Sequence, residues 1–132
     1  MCSSDLIKAI MFLRQTTAVL VMALLAALPA RALELIIVEQ PGCYACKQWN
    51  AEIAPIYPKT EVGQFAPLRR EQLDAPPGDV TYSRPVIFTP TFLLIRDGAE
   101  LARLEGYPGQ DFFWWQIERM ITEFAGFEGA TR

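Results

Sequence analysis

The sequence predicts an α/β domain in the order β-α-β, then β-β-α, around a four-stranded mixed sheet. Three observations carry this. A β-branched run, Leu35-Ile36-Ile37-Val38, ends in Gln40-Pro41-Gly42 and gives way at once to helical spacing. A second, weaker strand-like stretch follows that helix closely, and a strand–helix–strand order in so few residues implies a parallel pair with a right-handed crossover. Thr91-Phe92-Leu93-Leu94-Ile95 is the most strand-like stretch of the chain, and Asp97-Gly98 just after it is a hairpin signal. A length of 132 residues, 52% of them hydrophobic, holds one compact domain and little more.

The domain is predicted to begin only at Leu33. In residues 1–32, Lys8 and Arg14 precede an unbroken apolar run from Ala18 to Leu28, followed by Pro29 and small residues, which is the layout of a secretory signal peptide. The run has 11 residues, short of the roughly 18 or more that span a bilayer, and Ala30-Arg31-Ala32 predicts cleavage after Ala32. An uncleaved anchor or a buried helix is the alternative, and Met11 is a second candidate start. Cleavage leaves a domain over 33–132 with 9 basic and 14 acidic residues, a net charge of −5. Of three cysteines, Cys43 and Cys46 remain in it.

From Cys43, apolar Ala45, Trp49, Ile53 and Ile56 recur at helical spacing, so Cys43 falls at a helix N-terminus, with Pro55 kinking or ending the helix. The second strand is expected around Phe65 to Arg70, with Arg69-Arg70 as a solvated strand end. Residues 71–85 contain Asp74-Ala75-Pro76-Pro77-Gly78-Asp79, which predicts a loop with one or two helical turns. The hairpin partner of the 91–95 strand runs near Glu100 to Glu105. After Gly106-Tyr107-Pro108-Gly109, residues Phe113, Ile117, Met120, Ile121 and Phe124 share one face of a closing helix, with Asp111 near its start and Gly126 past its end. Two of the four aromatics Phe112, Phe113, Trp114 and Trp115 are expected in the core, as is Trp49.

Composition excludes whole reaction classes. The chain has no histidine, the usual general base of Ser and Cys hydrolases and the commonest zinc and copper ligand. A net charge of −3 offers no basic surface for nucleic acid. What remains is Cys43-Tyr44-Ala45-Cys46. A spacing of two puts both sulfurs on the first helical turn, where the helix N-terminus favours a thiolate on the first. Cys43 is then the nucleophile toward a partner disulfide, and Cys46, expected to be less exposed, resolves the mixed disulfide. Two other uses stay open: an inert staple, though so small a loop removes little unfolded-state entropy, and half of a metal site, though tetrahedral zinc takes about four ligands. Tyr44, between the cysteines, is a candidate substrate contact.

Thr89-Pro90-Thr91 stands directly before the apolar strand, with Pro90 44 residues after Cys46. With that pairing of CxxC and proline the sequence resembles the thioredoxin superfamily over nearly all of Leu33 to Phe124, including Lys47, Asp97-Gly98 and Gly106. The resemblance implies a minimal thioredoxin-like fold, a cis bond before Pro90 beside the cysteines, and a Thr89 backbone that pairs with a substrate strand. The chain departs from thioredoxins in having Pro41-Gly42 before the first cysteine and Tyr44-Ala45 between the two, and in lacking an extra N-terminal strand and helix. Within the superfamily it is most similar to the exported thioredoxins of bacterial sulfur-oxidation (Sox) operons. That likeness implies a periplasmic thiol–disulfide oxidoreductase without bound cofactor or metal. Its partners would be protein thiols and disulfides, among them a sulfur-carrier protein, with a membrane thiol transporter as electron donor.

Tyr44-Ala45 carries no cation, so a reducing poise is expected, with a Cys43 pKa nearer the roughly 7 of thioredoxin than the roughly 3.5 of a strong oxidant. Lys47 is expected to be solvated. A disulfide-forming oxidant is the alternative within the class. Outside it stands a copper metallochaperone holding Cu(I) on two thiolates, which stoichiometric copper retention abolished by Cys46→Ala would reveal.

Overall fold

The computed structural model describes residues 5–11 and 33–129. The chain divides into two units, Met1–Ala30 and Arg31–Arg132. In the first, residues 5–11 form a short, exposed helix. The apolar run Ala18–Leu28 and the expected cleavage point after Ala32 lie outside the described residues. No described helix is long and apolar enough to cross a membrane.

The second unit contains β1 (Leu33–Glu39), α1 (Tyr44–Glu52), a 3-10 turn (Tyr57–Lys59), α2 (Glu61–Phe65), β2 (Leu68–Gln72), β3 (Thr91–Arg96), β4 (Ala99–Glu105) and α3 (Gln110–Ala125). The sheet order is β2-β1-β3-β4, with β1 and β2 parallel and the other pairs antiparallel. The four-stranded mixed sheet expected from the sequence is the one that forms.

β1 and β3 are the inner strands and are buried on both faces, which is why each reads as a continuous apolar run. On one face Leu35, Ile37, Phe92 and Leu94 meet Trp49 of α1, Ile53 just past its end, Val62 of α2, and Phe113, Ile117 and Ile121 of α3. Trp49 anchors this core, its ring 5.4 Å from Phe92 and 6.0 Å from Phe113. Ile56, which shares its spacing, is instead exposed, because α1 ends at Glu52 and Pro55 has no N–H with which to continue it. Phe113 is buried and Trp114 stacks on Tyr57, while Phe112 and Trp115 face outward, so two of the four aromatics pack inward.

The opposite face, Ile36, Val38, Leu93 and Ile95, carries none of α1, α2 and α3. Leu73, Val80, Tyr82 and Val86 of the connection 73–90 cover it. The expected helical turns do not form there: the apolar residues of this segment are laid one by one on the sheet, and Pro76, Pro77 and Pro85 oppose helical hydrogen bonding. Arg69 of β2 fastens the segment by two bonds to Asp79, at 2.9 and 2.8 Å, and also pairs with Glu34 and Glu71, so the strand end expected to be solvated is partly exposed but ion-paired as well.

The second strand begins later than expected. Phe65 ends α2, whose N-cap Thr60 accepts from the Gly63 N–H at 3.0 Å, and pairing starts at Leu68. Asp97 and Gly98 both take positive φ, 55° and 76°, as a type I′ hairpin requires.

Candidate active site

Everything that bears on chemistry gathers where β1 ends and β3 begins. Gly42, at φ 79°, turns the chain so that Cys43 becomes the N-cap of α1, and the Cys46 N–H donates to Cys43 Sγ at 3.1 Å. Cys43 and Cys46 are joined in a disulfide, their Cα atoms 5.2 Å apart. Cys43 is partly buried and Cys46 is 4% exposed, so an incoming group meets the first sulfur before the second. Tyr44 projects into solvent at 81% exposure.

The second arm comes from the loop before β3. The β1–β3 register opposes Val38 to Thr91, and continued outward it sets Gln40 opposite Thr89. Gln40 Nε2 donates to Thr89 Oγ1 at 2.8 Å, closing the two loops on each other. The Thr89–Pro90 peptide bond is cis, and the Pro90 carbonyl accepts from the Gly106 N–H at 2.7 Å. Cys43, Tyr44, Cys46, Thr89 and Pro90, distant in sequence, are thus brought to one end of the sheet by adjacent strands.

Two features escape a sequence reading. Ile87 and Phe88 are exposed immediately before Thr89, although both are large and apolar. The triplet Val86-Ile87-Phe88 ahead of Thr89-Pro90 was the available signal, since apolar residues in a loop that do not all turn inward mark a contact surface. The other is a polar pocket of about 270 Å³ beside the cysteines, lined by Glu39, Gln40, Cys43, Cys46, Lys47 and Asn50 among others. Glu39 is almost fully buried there. It accepts from Asn50 Nδ2 and pairs with Arg70 Nη1 at 2.8 Å, and that guanidinium lies 5.7 Å from the centre of the Trp49 ring. Only the parallel pairing of β1 and β2 brings Arg70 to Glu39, and nothing in the local sequence announces it. Behind α1, Tyr107 OH donates to Glu52 Oε2. Burial and then this carboxylate raise the Tyr107 phenol well above its ordinary pKa, keeping it a neutral donor that ties the β4–α3 link to the end of α1. Among the described residues no group of three His, Cys, Asp or Glu is placed to hold a metal ion.

A dithiol–disulfide pair at the N-terminus of a helix, on a four-stranded mixed sheet and beside a cis-proline loop, defines a thioredoxin-like thiol–disulfide oxidoreductase. Among solved structures, the periplasmic thioredoxin SoxS from Paracoccus pantotrophus, in its reduced form, is 51% identical to this chain. The match covers 69% of this chain and 97% of that one, with a TM-score of 0.67. The chain belongs to the thioredoxin superfamily, within the family of SoxS. Thioredoxin-2 of the malaria parasite, a component of its protein secretion machinery, is 18% identical over 67% of this chain and 84% of its own, at a TM-score of 0.47. No protein-family model and no curated protein matches the chain.

Proposed function

We propose that this protein, with residues 1–32 removed on export, is a periplasmic reductant of protein disulfides and persulfides serving sulfur oxidation. The observation that carries the reading is the unequal pair itself: Cys43 partly open at the α1 N-terminus, Cys46 buried one turn inside and bonded to it. In the reduced protein the Cys46 N–H and the helix N-terminus favour a Cys43 thiolate. That thiolate attacks one sulfur of a substrate disulfide. A Cys43–substrate bond forms, the substrate S–S bond breaks, and the departing thiolate takes a proton. Cys46 then attacks Cys43 Sγ, releasing the second substrate thiol and leaving the Cys43–Cys46 disulfide, so two electrons pass from chain to substrate. With a persulfide on a carrier cysteine, attack on the inner sulfur expels hydrosulfide first and the carrier thiol second. Tyr44 and the Thr89–Pro90 arm hold the substrate chain, and a membrane thiol donor returns the disulfide to the dithiol.

The family of SoxS supports the setting, since that relative is a periplasmic thioredoxin. The absence of a cation in Tyr44-Ala45 supports the direction. The test is the reduction potential of the Cys43–Cys46 couple in the mature protein, equilibrated against dithiothreitol or glutathione with alkylation as readout. A value near the about −270 mV of thioredoxin is expected. One near the about −120 mV of the strongest oxidants would make the protein a disulfide donor and refute the reductant role.

A further inference from the structure

The Thr89–Pro90 arm is carried by an irregular segment, and part of what fixes its place is a buried ion cluster on the edge strand. Residues three apart on a strand point to opposite faces. Yet Glu100 and Arg103 of β4 form a two-pronged pair, Nε to Oε1 at 2.6 Å and Nη2 to Oε2 at 2.7 Å, with side chains only 4% and 8% exposed. A bulge makes this possible. Leu94 pairs with Ala102 and Ile95 with Glu100, so Leu101 is the extra residue, and Glu100 and Arg103 come to the same face as Leu93 and Ile95.

From there the pair reaches the backbone of the segment. Glu100 Oε2 accepts from the Ser83 N–H at 2.8 Å, Arg103 Nη2 donates to the Arg84 carbonyl at 2.8 Å, and Arg103 Nη1 donates to that of Pro85 at 3.4 Å. The Arg84 side chain ties back to Glu105 at 2.9 Å. Three consecutive residues are therefore gripped by one pair. Further along, the Phe88 carbonyl accepts from Thr91 Oγ1 at 2.7 Å, Gln40 holds Thr89, and the Pro90 carbonyl is held by Gly106 just past β4. Val86 to Thr89 form a short arch whose two ends are tied to β4 and to Gly106 after it, and this arch carries Ile87, Phe88 and Thr89. A buried ion pair adds little net stability over an apolar pair of the same shape, because desolvation offsets the attraction. This one instead fixes three backbone groups.

We propose that Arg103 is a positioning residue. Through the carbonyls of Arg84 and Pro85 it sets the arch against which a protein substrate lies beside Cys43. The inference rests on the reading of Cys43 and Cys46 as a protein-disulfide reductase. A small disulfide needs only the Cys43 sulfur, whereas an extended protein segment needs the arch as well, so the two substrate classes separate positioning from chemistry.

Arg103→Met alone would leave the Glu100 carboxylate buried and unpaired. The informative variant is Glu100→Gln with Arg103→Met, which leaves no lone charge and keeps an acceptor for Ser83. The mature protein and this variant are assayed on insulin and on 5,5′-dithiobis(2-nitrobenzoate). Because misplacement by about 1 Å can cost on the order of a hundredfold, kcat/KM for insulin is expected to fall about tenfold, mainly through KM. The rate on the small disulfide stays within about twofold, and the reduction potential does not move. Arg103→Lys, which keeps a charge for Glu100 but lacks the fork that reaches both carbonyls, should show the same split if the double variant folds poorly. Insulin and small-disulfide rates falling in equal proportion, or neither falling, would overturn the role of Arg103 while leaving the reductase reading intact. A wild-type protein that reduces neither would overturn both.

Discussion

Replacing Gly63 by alanine sets two physical rules against each other at one atom. On an exposed helix the change stabilises by up to about 1 kcal/mol, since alanine loses less backbone entropy. In α2 a Cβ at position 63 would lie 1.8 Å from the Tyr57 carbonyl oxygen and 2.7 Å from its carbon, against the 3.4 Å or more of ordinary contact. The carbonyl has little freedom to retreat. It accepts from Thr60 N at 3.1 Å and Thr60 Oγ1 at 2.7 Å, while the Tyr57 ring is fully buried and its hydroxyl donates to the Ala66 carbonyl at 2.8 Å. Moving α2 instead breaks the Thr60 cap, worth about 1 kcal/mol. It also strains one or two further hydrogen bonds of about 1 kcal/mol each and disturbs packing at a cost of about 1–3 kcal/mol. After alanine's own helix preference the net loss is about 2–5 kcal/mol, or a melting temperature lower by roughly 10 °C or more in a domain of this size. Urea unfolding of the oxidised mature protein, followed by tryptophan fluorescence, measures it, with small-disulfide turnover below the transition expected unchanged. A loss under about 1 kcal/mol, or a gain, would show that the Tyr57–Gly63 approach is not a constraint and refute the reasoning.

Three further outcomes are expected. Cys46→Ser should accumulate a covalent adduct with a protein disulfide substrate, released by dithiothreitol and seen by intact-mass analysis, whereas Cys43→Ser should form none. Tyr44→Ala, at a side chain 81% exposed, should change stability by no more than about 0.5 kcal/mol while lowering kcat/KM for insulin more than for a small disulfide. Burial acts to raise the Glu100 pKa, but the hydrogen bonds from Arg103 and Ser83 outweigh it and hold the carboxyl below its ordinary 4.5. The folded chain therefore binds fewer protons than the unfolded one over that range. The Glu100 contribution is complete above the unfolded value and declines as pH falls through the lower folded one. Urea midpoints between pH 7 and pH 3 should accordingly fall more steeply for the wild type than for Glu100→Gln with Arg103→Met.

Where the sequence was legible, one local interaction decided the outcome. Leu35-Ile36-Ile37-Val38 needed only a sheet covered on both sides, Asp97-Gly98 only a turn that tolerates positive φ, and Cys43 and Cys46 only a helix starting between them. The rest depended on contacts between distant residues. Leu73, Val80, Tyr82 and Val86 cover the second face at irregular spacing, so no period reveals them. Phe65 suits a strand by composition, but Thr60 capping and the close approach of Gly63 to Tyr57 close a helix first. Glu100 and Arg103 read as facing opposite ways until the bulge at Leu101 is known. At the site, the cysteines and the Thr89-Pro90 arm were legible as motifs. Glu39, Arg70 and the exposure of Ile87 and Phe88 follow from strand pairing and from which side of a loop the sheet takes.

That unreadable cover has a structural consequence. With α1, α2 and α3 on one face, a single segment both closes the second core and carries the Thr89–Pro90 arm: Val86 packs on Leu93 and Ile95's side of the sheet, and Ile87 begins the exposed stretch one residue later. A helical cover would let core and arm vary separately, but here a shift at Val86 is passed along a chain of four residues to Pro90. The grip on Ser83, Arg84 and Pro85 lies just upstream of that join, where it limits how far a repacked core can move the arm. If the arm holds substrate as proposed, fold stability and turnover of protein substrates are coupled through Val86. Val86→Ala should lower both stability and insulin turnover, with a larger drop in turnover when the Glu100–Arg103 pair has been replaced.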